Sequence, residues 1–413
     1  MDLEQLRVKL GGDKPPFILR TSDRILFKRC RRLWGWMSHL QQGLVLREQA
    51  DYLWFGTGIH YALEDYHGLN LYGHPAMAFM AYVEASRRAK ILPGTWLEHQ
   101  VLGVALMCYY VEQWLTDRDP LTTYEVDGIP QCEVNGVVDL GLRTEDGRDI
   151  LYGFTLDRIS IDEYGRLWIV EYKTAKQVRF LNLDVDDQVT AYCWAAWKLY
   201  RVPVAGVIYQ QFRKTVPTLP KILATGKVST DLRQPTSSSL YRKMLSDMYG
   251  SIEHAPQENI LAYNRFCASE DEDKDRFIVR TREERTMRQL ESFDLKVRME
   301  IEDITNPNIA LYPNPTWTCA SMCPLQAACV AMDDGVDWHQ IIDAYSRPTS
   351  DGLTQREKEQ VRWRTQLPEP QEVTLPREQV EYQQLLQQTP QSVEGALQEQ
   401  RPEEVFLEEL GWR

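Results

Sequence analysis

The sequence has no run of apolar residues long enough to cross a membrane as a helix. Its most apolar stretch, residues 101–115, is interrupted by Glu112 and Gln113. Residues 1–4 are acidic and polar and lack the apolar segment of a signal peptide. These absences predict a protein that neither spans a membrane nor has one as a partner.

Two further absences limit the possible functions. The phosphate-binding pattern G-x4-G-K-[ST] does not occur, which predicts no ATP-driven helicase motor within this chain. A net positive charge is also missing, since 47 Lys and Arg against 60 Asp and Glu give −13. This lowers the expectation of a nucleic-acid partner, because phosphate binding needs cations. It does not exclude one, because basic residues cluster locally, at Arg24, Lys28, Arg29, Arg31 and Arg32.

The sequence pattern changes several times along the chain. Residues 1–120 have a mostly helical pattern, and residues 121–215 have an α/β pattern. Residues 216–300 begin as a basic insert and continue as helix, whereas residues 301–345 are rich in proline and cysteine. Residues 346–413, dominated by Gln, Glu and Pro, predict a disordered or loosely helical tail. Its end, residues 405–412, suits either a short partner-binding element or a frayed terminus.

The range 121–215 predicts the core of the fold. Four runs have strand character: residues 131–142, 150–160, 167–174 and 204–212. A helical pattern over residues 187–200 separates the last two runs. Strands followed by a helix and a further strand predict a mixed α/β core.

The second and third of these runs carry two carboxylates and a lysine. A turn at residues 162–165 would join them as an antiparallel hairpin. Glu171 and Lys173 then share one face, and Asp157 lies roughly opposite Val170 and Glu171. Carboxylates this close require a cation, and oxygen ligands suit Mg²⁺ or Mn²⁺. A neighbouring lysine can orient or deprotonate a metal-bound water, which is the chemistry of phosphodiester hydrolysis. The alternative is an ordinary solvated strand face.

Two helical segments add candidate residues. His60 and Glu64 lie one turn apart after Gly56, so His60 is either a nitrogen ligand or a buried, hydrogen-bonded histidine. Gln188 and Tyr192 have the same spacing at the start of the helix that follows the hairpin. They are able to face the site or a DNA phosphate, or they are ordinary helix surface and core.

Taken in order, these motifs resemble those of RecB-like PD-(D/E)XK nucleases, which include CRISPR-associated and bacteriophage exonucleases. The matching patterns are Gly56-x3-His60, Gly153-x3-Asp157-Arg158, Glu171-x-Lys173-Thr174 and Gln188-x3-Tyr192, with Leu156 where the superfamily name implies proline. The resemblance implies a restriction-endonuclease-like fold with a mixed central sheet flanked by helices. It implies that His60, Asp157, Glu171 and the Tyr172 carbonyl bind Mg²⁺ or Mn²⁺. Lys173 would be the catalytic lysine, and Gln188 and Tyr192 would lie near the scissile DNA.

Three closely spaced cysteines, Cys319, Cys323 and Cys329, lie in a polar, proline-containing segment. In a reducing compartment such clusters indicate a soft-metal site, here lacking one ligand. The resemblance supplies Cys30 as the fourth ligand of a [4Fe–4S] cluster in a C-terminal cap. The spacing is one residue longer than the usual form, and Arg31 stands where proline is frequent. A structural Cys₄ zinc site is the alternative.

The leading hypothesis is a metal-dependent DNA exonuclease or flap-type endonuclease in recombination, replication or degradation, and the resemblance favours single-stranded ends as its substrate. The resemblance favours the cytoplasm of a bacterium or a phage-infected cell. The basic cluster at Arg24–Arg32 and the loop carrying Lys214 and Lys227 could line a strand path. Trp34, Trp36 or Tyr209 could stack on bases or belong to the core. The alternative is an inactive DNA-binding module for recombination assembly whose tail recruits a protein partner.

Overall fold

The computed structural model describes residues 14–46, 51–115, 120–178, 182–343, 345–346 and 361–373. Within these ranges no helix is both long and apolar enough to cross a membrane.

A mixed sheet of seven strands forms the centre of the fold, in the order β1-β7-β8-β9-β10 with β3 and β6 also paired to β7. β1 runs parallel to β7 and β8 parallel to β9, whereas the other pairs are antiparallel. This arrangement confirms the predicted α/β fold class. The strands are β1 (Phe17–Arg20), β2 (Val45–Leu46), β3 (Thr122–Thr123), β4 (Glu125–Val126), β5 (Ile129–Pro130), β6 (Cys132–Arg143), β7 (Asp149–Ile161), β8 (Leu167–Ala175), β9 (Val204–Arg213), β10 (Ile278–Glu284) and β11 (Tyr345–Ser346).

Helices flank the sheet on both faces. They are α1 (Thr21–Arg29), α2 (Arg31–Met37), α3 (Asp51–His67), α4 (Pro75–Arg88), α5 (Trp96–Tyr109), α6 (Asp187–Tyr200), α7 (Ser238–Tyr249), α8 (Gln257–Ala268), α9 (Met287–Ile304), α10 (Thr318–Met322), α11 (Gln326–Asp333) and α12 (His339–Ile342). The helix expected at residues 187–200 has the predicted bounds. Asp186 is the N-cap residue of this helix, and its carboxylate accepts hydrogen bonds from the backbone amides of Gln188 and Val189.

Alternation along β8 separates two hydrophobic cores. Trp168, Val170 and Tyr172 pack with α3, α4 and α5 on one face. Leu167 and Ile169 pack with α6 and α9 on the other. Glu171 and Lys173 share the second face by the period of a strand, so they point toward the side where α6 lies.

β7 changes its partner along one edge. The opposite edge of β7 pairs with β6 along most of its length. The edge that changes its partner pairs with β1 over residues 150–153 and with β8 over residues 158–161. Residues 154–157 therefore lie at a fork between β1 and β8, and Asp157 stands at its inner end.

Three parts of the chain outside the predicted core range join the central body, and the first is β1, which lies in the range expected to be mostly helical and pairs with β7. β10, within the range expected as insert and helix, extends the sheet next to β9. Residues 361–373, within the range expected as a disordered tail, pack on α3 and α4 through Trp363, which is 2% exposed. Burial of this indole in an aromatic cluster gives the segment a fixed position. The prediction for residues 405–412 lies outside the described residues.

Candidate metal centre

His60 reaches the fork of the sheet from α3. The helix approaches α4 closely at Gly58, where a Cβ atom would lie 2.7 Å from ring atoms of Phe79 and Tyr82. A larger residue at this position would push the two helices apart. The lack of a side chain at Gly58 thus lets the segment that carries His60 pack closely and stay against the sheet.

Three side chains converge at this point. The Nδ1 atom of His60 lies 3.2 Å from Oδ1 of Asp157 and 3.4 Å from Oε1 of Glu133. One ligand atom from each residue lies within 4.8 Å of the other two. One imidazole nitrogen and two carboxylates form a donor set that suits a divalent cation such as Mn²⁺ or Mg²⁺.

Glu133 was missed in the sequence analysis. It lies on β6 between Cys132 and Val134, which pair with Arg158 and Leu156, so the register places it opposite Asp157. Its backbone has a φ of 46°, in the left-handed region that residues other than glycine rarely adopt. Strained residues cluster at functional sites. Assigning the register of β6 against β7 would have found this residue.

The remaining predicted residues lie beside this trio. Asp157 accepts a hydrogen bond of 2.8 Å from the Tyr172 amide through Oδ2. Lys173 donates from Nζ to Oε1 of Glu171. The other oxygen of Glu171, Oε2, is buried and has no hydrogen-bond partner among the described residues. A buried carboxylate oxygen without a donor is costly. Glu171, expected as a metal ligand, lies outside the group of ligand atoms within 4.8 Å of one another that His60, Glu133 and Asp157 form among the described residues.

The charged groups of this site shift one another's pKa values. Burial lowers the pKa of His60, but Asp157 and Glu133 outweigh it and raise that pKa to about 10. Burial raises the pKa of Asp157, yet the charges of His60 and Lys173 bring it below its usual value. Burial and the charge of Asp157 raise the pKa of Glu171 to about 7. The pKa of Lys173 is raised because Glu171 and Asp157 outweigh its burial.

The α6 residues Gln188 and Tyr192 lie on the same side of the sheet. The side-chain amide nitrogen of Gln188 donates a hydrogen bond to the Tyr192 hydroxyl at 2.6 Å. Burial raises the pKa of Tyr192, and the charges of Glu171 and Asp157 raise it further. Tyr192 is therefore close enough to the carboxylates to sense their charge.

A family model described as the PD-(D/E)XK nuclease superfamily matches residues 24–330. This chain belongs to the PD-(D/E)XK nuclease superfamily. The matched range contains the fork, the trio of His60, Glu133 and Asp157, and Lys173. No curated protein matches the sequence.

The three other cysteines expected to bind a cluster lie near Cys323. Cys30 separates α1 from α2, and with Cys323 and Cys329 it packs against a small hydrophobic cluster. Burial raises the pKa of Cys323, as do the charges of Cys319 and Cys30. Cys108, Cys132 and Cys193 have apolar or strand contexts that predict core residues, and Cys108 and Cys193 are buried whereas Cys132 is only partly buried.

The basic cluster at Arg24–Arg32 is largely neutralised by carboxylates. Arg24 and Lys28 pair with Glu300 and Asp187. Arg31 pairs with Asp303 and Arg32 with Asp333. These partners are distant in sequence, so the sequence alone showed the cations without their counter-ions. The cluster fastens α1 and α2 to α6, α9 and α11 rather than presenting free charge to a DNA strand.

We predict that Mn²⁺ binding becomes tighter as the pH rises. At neutral pH His60 carries a proton, because its pKa lies near 10, and its nitrogen binds a cation only after losing that proton. For a one-proton exchange the affinity should rise about tenfold per pH unit below that pKa. Titration calorimetry between pH 6 and pH 8 should show this slope, and His60→Gln should flatten it.

His339→Gln is the matched control, since the His339 side chain is 72% exposed and lies outside the trio. It should keep the wild-type slope. Equal Mn²⁺ affinity of the wild type at both ends of this pH range would contradict the assignment of His60 as a ligand.

Proposed function

We propose that this chain is a metal-dependent deoxyribonuclease that hydrolyses DNA from single-stranded ends. The observation that carries the proposal is the meeting of His60, Glu133 and Asp157 beside Glu171 and Lys173. A divalent cation and a lysine at one point are what phosphodiester hydrolysis requires. The order of the four motifs supports a RecB-like enzyme of the bacteriophage type.

The residues of the site have distinct parts in this chemistry. A bound Mg²⁺ or Mn²⁺ would supply Lewis-acid stabilisation of the charge on the phosphate. Lys173 keeps its proton at neutral pH, so it orients the attacking water and stabilises negative charge. Glu171, with a pKa of about 7, is better suited to accept a proton from that water. Gln188 and Tyr192 hold the scissile strand.

Replacing Lys173 by alanine should lower the rate of DNA cleavage by roughly a hundredfold or more, because a preorganised charge at the reacting phosphate is lost. Asp157→Asn should do the same by removing a metal ligand. End-labelled single- and double-stranded DNA, incubated with Mn²⁺, Mg²⁺ or EDTA and resolved on gels, gives the rates and the polarity.

Lys274→Ala is the control, since the Lys274 side chain is 47% exposed and pairs with Asp271, outside the predicted site and strand path. It should cleave at the wild-type rate. Full activity in a folded Lys173→Ala protein would rule out the proposed role. DNA binding without cleavage in the wild type, under every metal condition, would favour the inactive recombination module instead.

We also propose that Cys30, Cys319, Cys323 and Cys329 bind a [4Fe–4S] cluster. Two arginines beside them suit an anionic centre: Arg32 donates to the Cys329 sulfur at 3.2 Å, and the charge of Arg29 acts on Cys323. Nη2 of Arg29 and Nε of Arg32 are buried without a hydrogen-bond partner among the described residues. No three of these sulfurs form a group within 4.8 Å in the described ranges. A single zinc ion with bonds of about 2.3 Å would need its sulfurs this close together.

Anaerobically purified protein should contain iron and acid-labile sulfide, and Cys30→Ala should lose both together with much of its thermal stability. Elemental analysis, visible absorption and thermal unfolding measure these effects. Cys267→Ala, outside the cysteine group, should retain them. Stoichiometric zinc without sulfide would make the zinc alternative correct.

A second basic surface supports a path for the DNA strand. Lys176 and Lys214 lie near the end of β8, where the Lys214 amide donates to the Ala175 carbonyl. Burial and the charge of Lys176 lower the pKa of Lys214, and both lysines lower that of His99. No ion pair within 4.0 Å involves either lysine in the ranges described. This Lys176–Lys214 patch begins three residues beyond Lys173, so a phosphate bound there would lead toward the metal centre.

Lys176→Gln and Lys214→Gln should each weaken binding of single-stranded DNA and lower the slope of log affinity against log salt by about 0.7. Fluorescence anisotropy in EDTA measures this without cleavage. Lys28→Gln, whose charge is already paired, should leave the slope unchanged. An unchanged slope in both patch variants would mean that the strand runs elsewhere.

A further inference from the structure

Residues 361–373, called here the C-terminal segment, contact the helix that carries His60. The Trp363 ring meets Tyr61 at 5.0 Å and Tyr82 at 4.9 Å, both edge-on. The Tyr72 hydroxyl donates to the Pro368 carbonyl at 2.7 Å. These contacts lie on α3, on α4 and between them, so the segment is anchored independently of any charge.

The next residue, Arg364, forms a two-point ion pair with Glu64. Its Nη1 and Nη2 atoms donate to the two carboxylate oxygens at 3.2 and 2.6 Å. The guanidinium also lies 5.5 Å from the centre of the Tyr61 ring. This geometry is the fork-to-fork arrangement that fixes a carboxylate in orientation as well as in charge.

Glu64 lies one helical turn after His60 on the same face of α3. Burial raises its pKa, Arg364 lowers it, and Glu133 raises it. Burial lowers the pKa of Arg364, but Glu64 and then Glu133 raise it above its usual value. Arg364 thus acts electrostatically on Glu133, a member of the metal-binding trio, as well as on Glu64. Nonetheless Glu64 itself lies outside the trio.

We propose that Arg364 is a positioning residue of the metal centre, which holds Glu64 apart from the ligands and sets the negative charge that an entering cation meets. The inference rests on the proposed function only in taking His60, Glu133 and Asp157 as the ligands. The C-terminal segment then determines metal affinity from a position about three hundred residues along the chain from α3.

Removing each charge of the Arg364–Glu64 pair in turn, and then both together, tests the proposal. Arg364→Gln leaves Glu64 unbalanced, so Mn²⁺ should bind roughly 3- to 10-fold more tightly, as expected for one extra negative charge at partly screened range. Glu64→Gln leaves Arg364 unbalanced beside Glu133 and should weaken Mn²⁺ binding by a similar factor. The double variant should return close to the wild-type affinity. Titration calorimetry of the full chain at pH 8 and low salt measures all four proteins.

The opposite signs separate this role from a purely structural one. Damage to the fold would weaken Mn²⁺ binding in every variant, and that pattern would overturn the proposal. Unchanged affinity in the folded single variants, with a wild type that binds Mn²⁺, would also overturn it while leaving the nuclease proposal intact. Failure of the wild type to bind Mn²⁺ or cleave DNA would overturn the metal centre first.

Two further variants sharpen the result. Arg364→Lys keeps the charge and should keep the wild-type affinity within about twofold, although it loses the two-point geometry. Arg362→Gln removes an exposed arginine two residues away and should leave the affinity unchanged. A change of affinity in Arg362→Gln equal to that in Arg364→Gln would show that general surface charge, and not the pair with Glu64, is responsible.

Discussion

The whole site depends on a backbone constraint: one edge of β7 cannot pair with β1 and β8 at the same place. Where the first partner ends and the second begins, the strands diverge and leave room for side chains. Asp157 stands at this point, and its carboxylate accepts the Tyr172 amide hydrogen, a donor from the neighbouring strand. The carboxylate thus meets a backbone requirement of the sheet through one oxygen and offers the other to His60. Asp157 therefore both stabilises the sheet and takes part in the candidate metal centre.

Much of the sheet and of the site followed from local patterns. The hairpin between β7 and β8 was predictable because its turn and its alternating faces are encoded within about twenty-five residues, and Asp157 lies as expected with respect to Glu171. The helix of Gln188 and Tyr192 was predictable because an acidic cap and regular apolar spacing mark its bounds. Such features depend on neighbours in sequence.

The features that were missed depend on distant partners. Glu133 has no motif of its own and becomes significant only through the register of β6 against β7. β10, with the sequence Ile-Val-Arg-Thr-Arg-Glu-Glu, has charged residues that suit a helix as well as an edge strand, and its pairing with β9 decides the matter. The Arg24–Arg32 cluster looked free because its carboxylate partners lie more than one hundred and fifty residues away. Contacts between residues far apart in the sequence cannot be predicted from a short stretch of sequence.

The pairing of β1 with β7 has a consequence for how the protein is made. β1 leaves the ribosome before its partner, because Phe17 pairs with Ile150, which follows much later in the chain. Contacts of such large sequence separation form slowly. Until residues 150–153 are synthesised, β1 has no strand of this sheet to pair with in the nascent chain. The fork that positions Asp157 therefore forms only after β1, β7 and β8 have all been synthesised.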